Sequence, residues 1–143
     1  LESIDIHKQN PVTFTHNDAH VKNWYADDNG NMRLSDWQTI ARGHWSHDVT
    51  FAISTSLDVE NRRAWDRDLL ACYRDRLHAN GGPLLDIDEM IRAFRKNLLI
   101  SLCWWTPCVK HDQGFSYHAQ DQIFEVIKRT STAIDDWDSL SVN

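Results

Sequence analysis

Residues 13–38 read TFTHNDAHVKNWYADDNGNMRLSDWQ, and the rest of the chain is organised around them. Val12-Thr13-Phe14-Thr15 is β-branched and aromatic, so a short strand is expected to deliver the chain into a cluster of His16, Asp18, His20 and Asn23. Trp24-Tyr25-Ala26 and Met32-Arg33-Leu34 then flank Asp27-Asp28-Asn29-Gly30-Asn31. Asn-Gly between two short apolar runs predicts a hairpin, because both residues tolerate positive φ. Folded so, the chain brings Asp36 back beside Asn23. Asp18 and Asn23 stand five positions apart and Asp36 follows thirteen later. A carboxylate to orient a hydroxyl, plus an amide oxygen and a second carboxylate as hard ligands, is the set that phosphoryl transfer with Mg2+ uses. Any one of these residues alone reads as well as a turn or cap, since Asp and Asn bond their own backbone in loops. Their joint spacing is the signal.

Working outward, 143 residues make one domain with room for a core, and seven tryptophans need burying. A net charge of −6 leaves no electrostatic footprint for nucleic acid. No apolar run is long enough to span a membrane, and Leu1-Glu2-Ser3-Ile4-Asp5 is not a secretory signal. Cys72, Cys103 and Cys108 are odd in number and lack CxxC spacing, so a reduced, cytoplasmic setting is expected.

After Gln38 the period lengthens towards that of a helix. Ser46 is the expected cap of a first helix, with Val49, Ile53 and Leu57 on one face. A second helix is marked by Trp65, Leu69, Cys72 or Tyr73, and Leu77, and stops at Gly81-Gly82-Pro83. Asp86 with Glu89 resembles a capping box that opens a third helix carrying Ile87, Met90, Ile91, Phe94, Leu98, Leu102 and Trp105, closed by Pro107. A last helix carries Tyr117, Ile123 or Phe124, Ile127 and Ile134 before a polar tail. The expected class is α+β, mostly α, with a small β-hairpin holding the functional residues. The acidic Asp58, Glu60, Asp66, Asp68 and Asp75 offer attraction for a cationic substrate such as an aminosugar. They alternate with Arg62, Arg63, Arg67, Arg74 and Arg76, and read better as a solvated helix face.

His16-Asn17-Asp18-Ala19-His20-Val21-Lys22-Asn23, followed by Ser35-Asp36-Trp37-Gln38, resembles the catalytic and metal motifs of the aminoglycoside phosphotransferase and choline-kinase-like family. The ecdysteroid-kinase-like branch of small-molecule kinases is also similar. Those enzymes are relatives of protein kinases, whose catalytic loop and DFG segment come in the same order. Gly43-His44-Trp45-Ser46-His47-Asp48-Val49 resembles the family's next segment. The resemblance implies an ATP-dependent phosphotransferase acting on a hydroxyl of a small molecule. It makes Asp18 the catalytic aspartate and Asn23 and Asp36 the Mg2+ ligands that also hold ATP. It makes His16 a residue that holds the loop, and sets His20 where protein kinases carry a lysine, to position phosphate or Asp18. Asp48 would brace the loop; an acidic residue favoured in a helix's first turn is an equal reading. Asn17 replaces the glycine common in the phosphotransferases, and Trp37-Gln38 replaces Phe-Gly.

No Gly-rich phosphate loop or strand lysine with a helical glutamate can be placed before the site. With no Met at position 1, residues 1–143 are expected to be the C-terminal lobe of a longer kinase, its N-terminal nucleotide-binding lobe absent. Little activity is expected of this lobe alone, and the surface left by the missing lobe is expected to favour self-association. Trp104-Trp105, with Tyr117 or His118 opposite, offers a wall for an organic substrate, although such a pair is more often core. Two rival readings remain open. A metal-dependent hydrolase would use His16, Asp18 and His20 on one strand face, with His44 and His47. A non-catalytic interaction module would keep only the scaffold of a kinase lobe.

Overall fold

The computed structural model describes residues 12–109 and 119–142. Strand β1 (Val12–Thr15) leads into a loop and a 3-10 turn at Val21–Asn23, then the hairpin of β2 (Trp24–Ala26) and β3 (Met32–Leu34). A second 3-10 turn (Trp37–Thr39) feeds β4 (Ala41–His44). The helices α1 (Ser46–Ser56), α2 (Val59–Ala79), α3 (Ile87–Trp105) and α4 (Gln120–Asp136) follow, with short 3-10 turns at Thr106–Cys108 and Ser139–Ser141. The fold is mostly α with a small β part, but that part is two ribbons rather than one hairpin. β1 pairs antiparallel with β4, Thr13 opposite Gly43 and Thr15 opposite Ala41, so the loop and the hairpin are enclosed between paired strands. Ala41–His44 lacks a β-branched run, and its strand is fixed by pairing rather than by propensity.

The hairpin forms as its turn chemistry dictates. Gly30 takes φ 77°, and the Asp27 carboxylate accepts the backbone N–H groups of Asn29 (3.0 Å) and Asn31 (2.8 Å). Those bonds, the Asn31 one first, and the Arg33 guanidinium at 3.0 Å hold the Asp27 carboxyl below its usual range.

Helix ends follow local signals at most positions. Asp86 caps α3 by accepting from Asp88 and Glu89 N–H, and Asp58 caps α2 by accepting from Asn61 N–H. α2 closes in a Schellman motif, with Gly81 at φ 85° and the N–H groups of Gly81 and Gly82 donated to His78 and Leu77 carbonyls. Ser46 is not a cap. It is the first residue of α1 after Trp45, and its buried hydroxyl instead meets His44 Nδ1 (2.7 Å) and accepts from Asn97 (2.8 Å).

The main core gathers Trp45, Ile53, Leu70, Met90, Phe94, Leu98, Ala133, Ile134 and Trp137. Burying each large apolar side chain contributes about 1.5–3 kcal/mol. A smaller cluster of Phe51, Trp105 and Ile123 meets the loop after β1 through Trp105, whose ring lies 5.6 Å from that of His20. Tyr117 and His118 lie outside the described residues, as does the segment before Val12.

The buried face of α2 differs from the expected one. Trp65 and Cys72 are exposed and Leu69 is 38% exposed, whereas Arg62 and Asp66 are buried with Leu70. Arg62 bonds Asp66 (3.1 Å) and Asp136, and the Trp137 indole donates to Asp66 (2.7 Å). Arg63 adds two bonds to Asp136 (2.7 and 2.9 Å), and Arg67 lies over the Trp137 ring. This charged lattice fastens α2 to the end of α4; Arg62 and Asp66 leave the expected solvated face, on which Asp58, Glu60, Arg63, Arg67, Asp68, Asp75 and Arg76 are exposed.

Candidate functional site

Asn17 turns the loop that follows β1. Its φ of 64° is left-handed, which asparagine tolerates better than most residues. Its side chain donates to Thr39 O (2.8 Å), and Thr39 Oγ1 donates back to His16 O (2.6 Å). The Asp48 carboxylate accepts the N–H groups of both His16 (2.6 Å) and Asn17 (2.8 Å). Its charge, after burial, also helps keep the Tyr73 hydroxyl protonated, pushed up to about 12. Nothing in the sequence signals Thr39, whose hydroxyl and carbonyl stitch the loop to the 3-10 turn.

The two histidines have defined tautomers. His16 Nδ1 accepts from Asp18 N–H (3.2 Å), so Nε2 carries the proton and donates to Ser35 O (2.7 Å). His20 Nδ1 accepts from Lys22 N–H (3.3 Å), which turns Nε2 towards Asp18 Oδ1 at 3.5 Å. Both imidazoles are buried.

Asp18 and Asn23 meet directly. The Asn23 amide nitrogen donates to Asp18 O (2.8 Å) and to Asp18 Oδ2 (3.2 Å). Burial acts to raise the Asp18 carboxyl, but hydrogen bonds from His20 and Asn23 and the nearby imidazoles outweigh it and leave it below its ordinary value. Asp18 is therefore ionised at neutral pH, as a group that orients a hydroxyl proton must be.

Ser35, the residue before Asp36, is tied to Asn23. Ser35 N–H (2.8 Å) and Ser35 Oγ (3.1 Å) both donate to Asn23 O. The next residue, Asp36, adopts φ 58° and ψ 60° and is exposed. Its carboxylate has Gln38 Nε2 at 3.5 Å, and no hydrogen bond links it to Asp18 or Asn23 among the described residues. Trp37 packs edge-on against His16 at 4.7 Å.

A cavity of about 350 Å³ opens on the far side of His20. Its walls are Val21 and Lys22 from the loop, Thr55 from α1, Trp105 from α3, and Gln122, Glu125 and Val126 from α4. Trp105 is buried, meets the His20 ring edge-on at 5.6 Å and stacks on Phe51, while Trp104 is exposed. The Lys22 ammonium reaches Gln122, a hundred residues on, a contact no local pattern announces.

A family model for ecdysteroid kinase-like proteins matches residues 1–83, which include β1 to β4, the whole loop and Asp48. The chain belongs to the ecdysteroid kinase-like family. No curated protein and no solved structure matches it. In this ecdysteroid kinase-like protein the matched part ends just past α2, so α3 and the cavity-lining α4 lie beyond it. Among the described residues no helix is long and apolar enough to cross a membrane.

The geometry does not favour a histidine-rich metal centre. β1 ends at Thr15, so His16, Asp18 and His20 do not alternate on a strand, and both ring nitrogens of His16 are hydrogen-bonded. Among the described residues no group of three His, Cys, Asp or Glu side chains is placed to hold a metal ion.

Proposed function

We propose that the chain is the catalytic-loop and acceptor part of an ATP-dependent phosphotransferase that phosphorylates a hydroxyl of a small molecule. The observation that carries this reading is the direct Asn23–Asp18 contact, with Ser35 bonding Asn23 O one residue before Asp36. Asp18, ionised and half-buried, orients the acceptor hydroxyl and takes up its proton's hydrogen bond. His20 restrains Asp18, and His16 with Asp48 holds the loop's path.

The donor chemistry fits Mg2+. The Asn23 amide nitrogen is committed to Asp18, which leaves the amide oxygen on the other limb, and Asp36 supplies an exposed carboxylate. An amide and a carboxylate are a sufficient protein contribution when ATP supplies the remaining oxygens. When bound, the ion neutralises charge on the transferring phosphate. Phe14 of β1, Tyr25 of β2, Met32 of β3 and Ile40 just before β4 are all exposed, which supports covering of apolar surface here by a nucleotide-binding lobe.

The test is transfer of labelled phosphate from ATP to a panel of small alcohols in the presence of Mg2+, by residues 1–143 joined to a nucleotide-binding lobe, with and without Asp18→Asn. The expected loss is about 10²–10⁴-fold in kcat with little change in KM. Transfer undiminished in Asp18→Asn contradicts the assignment.

A further inference from the structure

We infer that Thr39 is a positioning residue: by donating its hydroxyl to His16 O it holds Asp36 in a left-handed backbone conformation, and so sets how well the Asp36 carboxylate and the Asn23 amide oxygen share one ion. The inference rests on the phosphotransferase reading for the ion and extends it to a residue that the sequence does not signal. Asp36 lies at φ 58° and ψ 60°, where any residue with a Cβ is strained. Its own side chain makes no capping bond to the 3-10 turn it precedes. Such a conformation persists only where the surroundings over-determine it, so the hold comes from the neighbouring residues.

Those neighbours are pinned on both sides of Asp36, and His16 is the common post. Before Asp36, the His16 ring donates to Ser35 O at 2.7 Å. After it, Thr39 Oγ1 donates to His16 O at 2.6 Å, and the Asn17 side chain donates to Thr39 O at 2.8 Å. Only Asp36, Trp37 and Gln38 lie between the pins. Trp37 is fastened besides, its ring edge-on to His16 at 4.7 Å and its indole N–H on Leu34 O at 2.9 Å. His16 is itself fixed, its backbone N–H bonded to Asp48. The Thr39 hydroxyl is the part of this clasp that a substitution removes while leaving both the loop and Asp36 intact. Without it the Ile40–Trp37 bond still closes the 3-10 turn, but the turn is free to rotate about Asp36. The Asp36 backbone then relaxes towards negative φ, and its Cα–Cβ bond changes direction relative to Ser35, which stays bonded to Asn23 O.

Thr39→Val removes the hydroxyl and keeps the branched shape, whereas Thr39→Ser keeps the hydroxyl. Two readings are taken by NMR on the isotope-labelled chain, with circular dichroism reporting that the helices are intact in each variant. The first is the Cα and Cβ shifts and the HN–Hα coupling of Asp36 without any ion, which report its backbone region. The second is the Mn2+ concentration, with ATP present, at which the Asn23 signals are half broadened. Thr39→Val is expected to average out the left-handed signature of Asp36 and to raise that concentration about fivefold, the equivalent of one neutral hydrogen bond. Thr39→Ser is expected to restore both. An Asp36 signature unchanged in Thr39→Val overturns the inference. So does a Thr39→Ser variant that behaves like Thr39→Val, since the hydroxyl would then not be the cause. Loss of the signature with the Asn23 midpoint unmoved supports the hold of Thr39 on the turn and contradicts Asp36 as an ion ligand, the part taken from the phosphotransferase reading.

Discussion

Asp48 lies thirty-two positions from His16 in the chain, yet its carboxylate accepts the backbone N–H groups of His16 and of Asn17, at 2.6 and 2.8 Å. Two oxygens on two consecutive amides fix the direction in which the chain leaves β1, and so where Asp18 starts. Asp48→Asn keeps the shape but turns one acceptor into a donor facing an N–H. Charge-assisted hydrogen bonds of this kind contribute about 1.5–3 kcal/mol. The variant should lose about that much stability in urea unfolding, with faster hydrogen exchange at His16 and Asn17. Unchanged exchange at both amides would deny Asp48 the clamp.

Asn17 tests the same loop through its backbone. At φ 64° a β-branched residue is strained whereas glycine is not. Asn17→Gly should cost about 1 kcal/mol, from loss of the bond to Thr39 O. Asn17→Val should cost clearly more, and thermal denaturation of the two variants gives the order. The reverse order would mean that the loop does not hold its left-handed turn.

The Arg62–Asp66–Asp136 lattice predicts a different signature. Arg62 and Asp66 are 1% and 5% exposed, and removing one partner leaves an uncompensated buried charge. Arg62→Met should destabilise the chain by about 3–5 kcal/mol. Arg62→Met with Asp66→Asn should recover part of that loss, because the stranded carboxylate is gone. A double variant as unstable as the sum of the singles would show that packing, not charge, is what Arg62 supplies.

His47 gives the pH dependence its sign. Burial depresses the imidazole below its ordinary value, against the pull of Asp48. A histidine depressed in the folded state contributes stability that is whole above the unfolded value of about 6.5, and is lost as pH falls because the unfolded chain binds the proton more readily. The carboxyls of Asp18 and Asp136 are also depressed, so their contributions go at lower pH, below the ordinary carboxylate range. Urea midpoints should therefore fall from about pH 6.5 downwards, and His47→Phe should flatten the first part of that fall. A slope identical in the variant would remove His47 as its source.

Much of the β part and of α3 was legible because their signals are local. Val12–Thr15 is β-branched, Asn29-Gly30 demands a turn, and Asp86 caps a strongly periodic helix. β4 was not legible, because Ala41–His44 becomes a strand only through pairing with β1. The face of α2 was misread for a related reason. Arg62 and Asp66 look like surface charges until Asp136 and Trp137, about seventy residues later, arrive to satisfy them. The segment after the last helix reads as a polar tail, yet Trp137 and Ser139 are buried. At the site, Asp18 and Asn23 stood out by type and spacing. Thr39 and Gln122 did not, since their roles depend on contacts between distant segments.

Whether Asn23 and Asp36 serve one ion is the point on which the functional account turns. Mn2+ with ATP, added to isotope-labelled protein as a paramagnetic stand-in for Mg2+, broadens the NMR signals of residues near the bound ion. The account predicts that Asn23 and Asp36 broaden together at the lowest Mn2+ concentrations, and that Asp36→Asn weakens the effect at Asn23. Broadening at Asp36 alone, with Asn23 and Asp18 sharp at saturating Mn2+ and ATP, would contradict it.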